Sequence, residues 1–255
     1  MSWETVDLDR NEGVATITVD RPDRLNAMNV ETLEALDEAL DEARDARALV
    51  LTGAGDDAFV AGADISYMAE LDVEQAQAYA ELGHHVTDAI ETFSCPVIAA
   101  VNGYAFGGGC ELALAADLRV AAESAVLGQT EIDLGIVPGW GGTQRLSRLV
   151  GDERARRLVF FGERVEASEA REMGLVGEVV ADDDLDDHVA EMAADLAAKP
   201  KHALQAAKES LNQVHESHQS AGLTYERRLW SGLFGTDDQR EGMRAFVEDR
   251  EPDFE

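Results

Sequence analysis

Hydrophobic positions recur along the first hundred residues with two periods, one near two and one near 3.6. Val14-Ala15-Thr16-Ile17-Thr18-Val19 alternates and is rich in β-branched residues, and Arg21-Pro22-Asp23 ends it, so a strand is predicted there. Asn29 then stands as a cap before Leu33, Leu36, Leu40 and Ala43, which share one helical face while acids fill the other. Residues 48–52 read as a buried strand, 74–92 as a second helix, and 97–101, after Pro96, as another buried strand. This strand–helix–strand order predicts parallel strands joined by right-handed crossovers. From about Gly139 the pattern becomes mostly helical, punctuated by Gly151, Gly174 and Pro200. No repeat, low-complexity segment or sharp change of composition marks a linker, so the helical C-terminal part is expected to pack on the first part or on another subunit.

Composition narrows the class. A chain of 255 residues, 45% hydrophobic and 29% charged, has material for one large or two small globular domains. Its longest apolar runs, 97–101 and 112–116, fall far short of the ~20 residues that cross a bilayer. MSWETVDLDR has neither a basic nor an apolar leader segment, so no secretory signal is expected and the cytoplasm is the expected compartment. Cys95 and Cys110 form no CxxC pair and are expected to be buried, reduced thiols.

Charge is the outlier. There are 52 acidic against 21 basic residues, a formal net charge of -31, and the only lysines are Lys199, Lys201 and Lys208. Such self-repulsion opposes compaction in dilute buffer, whereas near 1 M salt the Debye length shrinks to ~3 Å and screens it. A cytoplasm of molar salt is therefore the expectation. The acids are spread along the chain, as in DEALDEARDA and ADDDLDD, which reads as a solvated surface. Nucleic acid is not an expected partner, because phosphate binding needs a basic face.

Candidate chemistry starts with a decoy. Gly53-Ala54-Gly55-Asp56-Asp57-Ala58 follows a strand and matches GxGxxG/A, but the chain runs on into Phe59-Val60-Ala61 rather than opening a helix, and two acids would face the phosphates. An acidic turn is the better reading. His215-Glu216-Ser217-His218 reads as the solvated face of a polar helix rather than a metal site.

The segment AFGGGCELAL, residues 105–114, is different. Its glycines follow a buried strand and precede an apolar helix, so the backbone can approach a ligand closely and turn unpaired N–H groups toward it. Those donors and the helix dipole suit an oxyanion, with Glu111 in the first turn. The alternative is that the glycines serve helix packing and Glu111 is an exposed first-turn acid. Ala61-Gly62-Ala63-Asp64-Ile65 is a second small-residue loop able to supply another donor, and Gly128-Gln129-Thr130-Glu131-Ile132 brings a second acid ahead of the loop 135–142. Two carboxylates beside two donors make an acid–base site.

At these residues the chain resembles the enoyl-CoA hydratase (crotonase) family over nearly its whole length. The resemblance is carried by RPDRLNAMN, AFVAGADISYM, PVIAAVNGYAFGGGCELALAADLRVA, GQTEIDLGIVPGWGGTQRL, GERVEASEAREMGLVGEVV and TDDQREGMRAFVEDR. It implies an α/β fold, a spiral of ββα turns over residues 1–195 that carries the active site, with a helical region at 196–255 that builds a homotrimer or a hexamer of two trimers. It implies Ala63 and Gly108 as backbone donors to a thioester oxygen and Glu111 and Glu131 as the catalytic pair that adds water to a 2-enoyl-CoA. Coenzyme A would enter as part of the substrate, with no separate cofactor or metal. The same resemblance places Asp23, Arg24 and Leu25 against the CoA moiety, Ala61, Asp64, Ile65 and Ser66 on its adenine and pantetheine side, and Trp230 near the adenine end from a neighbouring subunit.

Two departures from the family pattern stand out. Thr130 occupies a place often held by proline, and Asp249 a place often held by a basic residue, with Arg250 beside it as a substitute. Met68, Leu71, Tyr79 and Trp140 are candidates for the acyl-chain wall. Other reactions of the family (enoyl-CoA isomerisation, dehydration of a 3-hydroxyacyl-CoA in a specific pathway, decarboxylation) and a non-catalytic or RNA-binding relative are the alternatives; the paired glutamates favour hydration and the negative charge disfavours RNA.

Overall fold

A computed structural model describes residues 1–254. The chain begins with a hairpin of β1 (Val6–Asn11) and β2 (Val14–Val19), turned by Glu12 and Gly13 at φ 47° and 85°. Positive φ at both turn residues matches the twist of the flanking strands. Val6 and Leu8 point inward between outward Asp7 and Asp9; the alternation is short and its polar positions carry poor strand formers, so the strand was not expected.

Helix α1 (Val30–Glu42) follows, capped by Asn29, whose side chain accepts from the Thr32 N–H. Strand β3 (Ala48–Gly53), the single-turn α2 (Ile65–Met68) and α3 (Val73–Glu91) come next, then β4 (Val97–Val101) and β5 (Tyr104–Phe106). Helix α4 (Gly108–Ala115) is buried at every residue and leads to β6 (Leu118–Ala122) and β7 (Val126–Gly128). The remainder comprises α5 (Gly142–Val150), α6 (Asp152–Phe161), β8 (Arg164–Glu166), α7 (Ala167–Glu172), β9 (Glu178–Val180), α8 (Leu185–Ala197), α9 (Lys201–Asn212), α10 (Gln219–Leu233) and α11 (Asp237–Glu248).

One sheet has six strands in the order β1-β2-β3-β4-β6-β9, and a second has three in the order β5-β7-β8. The pairings β2–β3 and β3–β4 are parallel, as the strand–helix order predicts, and so are β4–β6, β6–β9 and β5–β7; β1–β2 and β7–β8 are antiparallel. Helix α1 packs on β1, β2 and α3, while α8 packs on β3, β4 and β6. The loop after β3 opens no helix; the Asn26 amide clasps it by donating to the Ala54 and Ala58 carbonyls at 3.0 and 2.7 Å. No helix among the described residues is long and apolar enough to cross a membrane.

Position 195/196 lies within the last turn of α8, and Pro200 separates that helix from α9. His215-Glu216-Ser217-His218 lies in the turn between α9 and α10, not on a helix, with both histidines exposed.

Helix α9 is fastened to the sheets by one buried cation. Lys208 Nζ donates to Asp117 Oδ2 at 2.7 Å and to the carbonyls of Ile90 and Cys95 at 3.2 Å each. Asp117 Oδ2 also accepts from the Val97 N–H at 2.7 Å, so the pair joins α9 to the starts of β4 and β6. Replacing Lys208 by Met leaves that carboxylate without its cation, and loss of one partner of a buried pair costs about 3 kcal/mol or more. Urea unfolding of Lys208→Met should show a loss of that order, with a far smaller change for the exposed Arg156→Met.

Candidate active site

The site is assembled around α4. Gly107 sits at φ 49°, ψ -119°, a conformation that glycine adopts readily, and this turns the chain from β5 into the helix. Next to it, a Cβ on Gly109 would fall 1.8 Å from the Val60 carbonyl oxygen, so only glycine lets the helix start lie against the 60–64 segment. That segment is held by Met28, whose N–H donates to Gly62 and whose carbonyl accepts from Asp64. Between those two bonds the Ala63 N–H has no acceptor among the described residues, and neither has the Gly108 N–H at the helix start. Both residues line a cavity of about 570 Å³, and Glu111 and Glu131 line it too.

Glu111 is 2% exposed, so it is not the exposed first-turn acid of the alternative reading. Its Oε1 accepts from the N–H groups of Trp140 and Gly142 at 2.8 and 2.7 Å. The loop that supplies those donors is itself pinned, because the Trp140 carbonyl accepts from Arg145 Nη1 at 2.8 Å and Thr87 Oγ1 at 3.1 Å. Arg145 is in turn paired with Asp88 and Glu91 on α3. Burial raises the Glu111 pKa, and the two backbone donors pull against that shift.

Glu131 opens a 3-10 turn, Glu131–Leu134, and is 8% exposed. Burial pushes its pKa up to about 7, with the charge of Glu111 adding in the same direction. With its amide oriented as the hydrogen-bond network requires, Gln129 donates to both Glu131 carboxylate oxygens at 2.9 and 3.2 Å. Gln129 is fully enclosed and had no role in the sequence reading; its place two residues before an acid carries no periodic signal. Between these groups Cys110 is wholly buried, and its thiol is pushed up to about 12, as expected of an inert, reduced cysteine.

Apolar side chains complete the cavity, and Met68, Leu71, Tyr79 and Trp140 are all among them, with Leu134, Ile136 and Val137 opposite. Ala61 and Ile65 also line it. Asp64 does not: it caps α2 through the Ser66 and Tyr67 N–H groups and pairs with Arg21 at 3.3 Å. Ser66 is thereby spent on the cap. Asp23, Arg24 and Leu25 lie outside the lining, in a 3-10 turn and its left-handed exit, although the Leu25 carbonyl accepts from the Ala61 N–H at 3.0 Å and so abuts the site. Trp230 is 64% exposed on α10, edge-on to Phe234, and does not reach the cavity within one chain. Arg250 is engaged by Glu241 and Glu248, so within this chain it is a paired cation rather than a vacant one.

Two buried carboxylates with raised pKa values beside two unpaired backbone donors, over an apolar cleft, define an acid–base enzyme site. The enoyl-CoA hydratase/isomerase family profile matches residues 9–255, and the chain belongs to that family. Among its relatives, the short-chain-enoyl-CoA hydratase of Clostridium acetobutylicum is 40% identical over 98% of this chain and 97% of its own. The crotonyl-CoA hydratase of Syntrophomonas wolfei is 40% identical over 100% of this chain and 99% of its own. The crystal structure of an enoyl-CoA hydratase from Bacillus anthracis superposes with a TM-score of 0.95 at 39% identity, covering 98% of this chain and 99% of that one. The spiral α/β fold implied by the family motifs is thus the fold observed.

The raised Glu131 pKa has a consequence for stability. An unfolded glutamate releases its proton near 4.5, whereas the folded one keeps it to about 7. Between those values the folded state binds more protons, so this residue lowers stability progressively as pH rises through the window. Glu131→Gln removes that contribution. Its urea midpoint should therefore gain on wild type between about pH 5 and about pH 8, and a constant difference would show that Glu131 titrates normally.

Proposed function

We propose that this chain is an enoyl-CoA hydratase that adds water reversibly across the C2–C3 double bond of a 2-enoyl-CoA. The observation that carries the reading is the meeting, in one cavity, of the unpaired Ala63 and Gly108 N–H groups with the buried Glu111 and Glu131. The names of the relatives point the same way.

In this proposal the two N–H groups donate to the thioester oxygen. Polarising that carbonyl draws electrons from the conjugated double bond and makes C3 electrophilic, and the donors hold the enolate-like charge that develops. Glu111, fixed by its two backbone bonds, and Glu131 hold the attacking water between them. As the water oxygen bonds to C3, Glu111 takes one of its protons, the π pair passes to the enolate, and Glu131 delivers its own proton to C2; transfer of the captured proton from Glu111 to Glu131 restores the starting state. The glutamates form a coupled pair, so one proton is shared between them through the cycle. No oxidation state changes, and the chemistry calls for nothing beyond the CoA that the substrate brings.

Residues up to about 195 form the catalytic core in this reading, and the helices beyond are the surface on which copies assemble into a trimer or hexamer. Leu211, Val214, Leu223, Phe234, Phe246 and Val247 are exposed there and offer apolar side chains for such contacts. Assembly would also bring Trp230 of one copy toward the adenine end of another's substrate, alongside Asp23, Arg24 and Leu25. The net charge of -31 supports a working environment of molar salt, inside the cell.

Two measurements test these statements. Loss of the enone absorbance of crotonyl-CoA in high salt should be rapid for wild type and slower by about 1000-fold for Glu111→Gln and for Glu131→Gln, the scale of lost general acid–base catalysis. Variants as fast as wild type would overturn the two-carboxylate mechanism. Light scattering in molar KCl should give a trimeric or hexameric mass, and dialysis into dilute buffer should dissociate and unfold it; retention of far-UV circular dichroism and activity in dilute buffer would refute the salt requirement.

A further inference from the structure

The indole of Trp140 fills a slot that two glycines on different helices leave for it. It is 4% exposed. A Cβ on Gly108 would fall 2.2 Å from its Cζ3, and a Cβ on Gly83 of α3 would fall 2.1 Å from its Nε1. A side chain at either position would evict the ring from that slot. Its backbone is fixed on both sides, the N–H by Glu111 and the carbonyl by Arg145 and Thr87, so the ring enters the slot from an anchored main chain.

The ring belongs to a rigid wall. Trp140 meets Tyr79 edge-on at 5.4 Å, and Tyr79 meets Tyr67 edge-on at 5.3 Å. Tyr79 is locked by donating its hydroxyl to the Met28 carbonyl at 2.6 Å, the same carbonyl that holds the 60–64 segment. Edge-to-face aromatic packing of this kind resists rearrangement. The indole also abuts Gly108, whose unpaired N–H opens on the cavity, so the wall stands at the reacting end, whereas Ile136 and Val137 line the cavity from exposed positions.

We infer that Trp140 is a specificity-determining residue that closes the acyl end of the cavity and restricts the enzyme to short 2-enoyl-CoA substrates, since a methylene that meets a filled, rigid wall is rejected by about ten-fold or more. The inference rests on the hydratase reading above. Without the indole, the space between α3 and α4 that Gly83 and Gly108 leave open becomes a tunnel for a longer chain.

The test compares kcat/KM for crotonyl-CoA and trans-2-decenoyl-CoA in wild type, Trp140→Phe and Trp140→Ala, with far-UV circular dichroism as a folding control. Wild type should prefer crotonyl-CoA by about 100-fold or more, and Trp140→Ala should bring the ratio below about ten by a real gain on the decenoyl substrate. Trp140→Phe should fall between and carries the test if the alanine variant does not fold. A wild type that hydrates both substrates equally overturns the inference, as does an unchanged ratio in both variants. If wild type hydrates neither substrate, it is the hydratase reading that fails.

Discussion

A carboxylate sealed in an apolar interior is tolerable only if something other than water solvates it, and for Glu111 that something is a pair of backbone N–H groups. Trp140 and Gly142 both aim at the same oxygen, Oε1. Left without them, a buried carboxylate would cost several kcal/mol or simply keep its proton. Three helices are committed to the arrangement: α4 carries the acid, the loop at the start of α5 carries the donors, and α3 braces that loop through Thr87 and through Asp88 and Glu91 paired with Arg145. Most of the geometry around the cavity follows from keeping that one oxygen satisfied while the other faces the cleft.

The second carboxylate is treated differently. Glu131 receives no such backbone cradle; it is held by the amide of Gln129 and sits where burial and a like-charged neighbour both favour its protonated form. Burial favours the protonated form of both acids, and only Glu111 has the N–H groups of a facing loop pulling against that shift. The two chemically identical side chains thus differ in what holds them rather than in the direction in which burial moves them.

Much of this was legible in the sequence because the signals were local. Asn29 ahead of a 3.6-residue apolar spacing, the all-apolar 97–101 strand and the glycine run before Glu111 each declare their structure within a few residues. What could not be read is what depends on distant contacts or on polar outward faces. Strand β1 has only Val6 and Leu8 alternating with aspartates, poor strand formers, and is fixed by its pairing with β2. Gln129 and Lys208 look like ordinary polar residues until the fold encloses them. The glutamates stood out as acids set among glycines and apolar residues, and Ala63 and Gly108 came from motif resemblance, whereas Trp230 stays exposed on α10 and Arg250 is paired with Glu241 and Glu248.

The scarcity of lysine reaches beyond electrostatics. Thioesters acylate free amines without any catalyst, and an enzyme that concentrates acyl-CoA around itself is exposed to that damage throughout its life. Of the three lysines here, Lys208 is buried in its ion pair with Asp117 and Lys201 donates to the Asp45 carbonyl. Surface cations are supplied almost wholly by arginine, whose guanidinium stays protonated and is a poor nucleophile. A chain built in this way presents its own reactive ligand with almost nothing to modify.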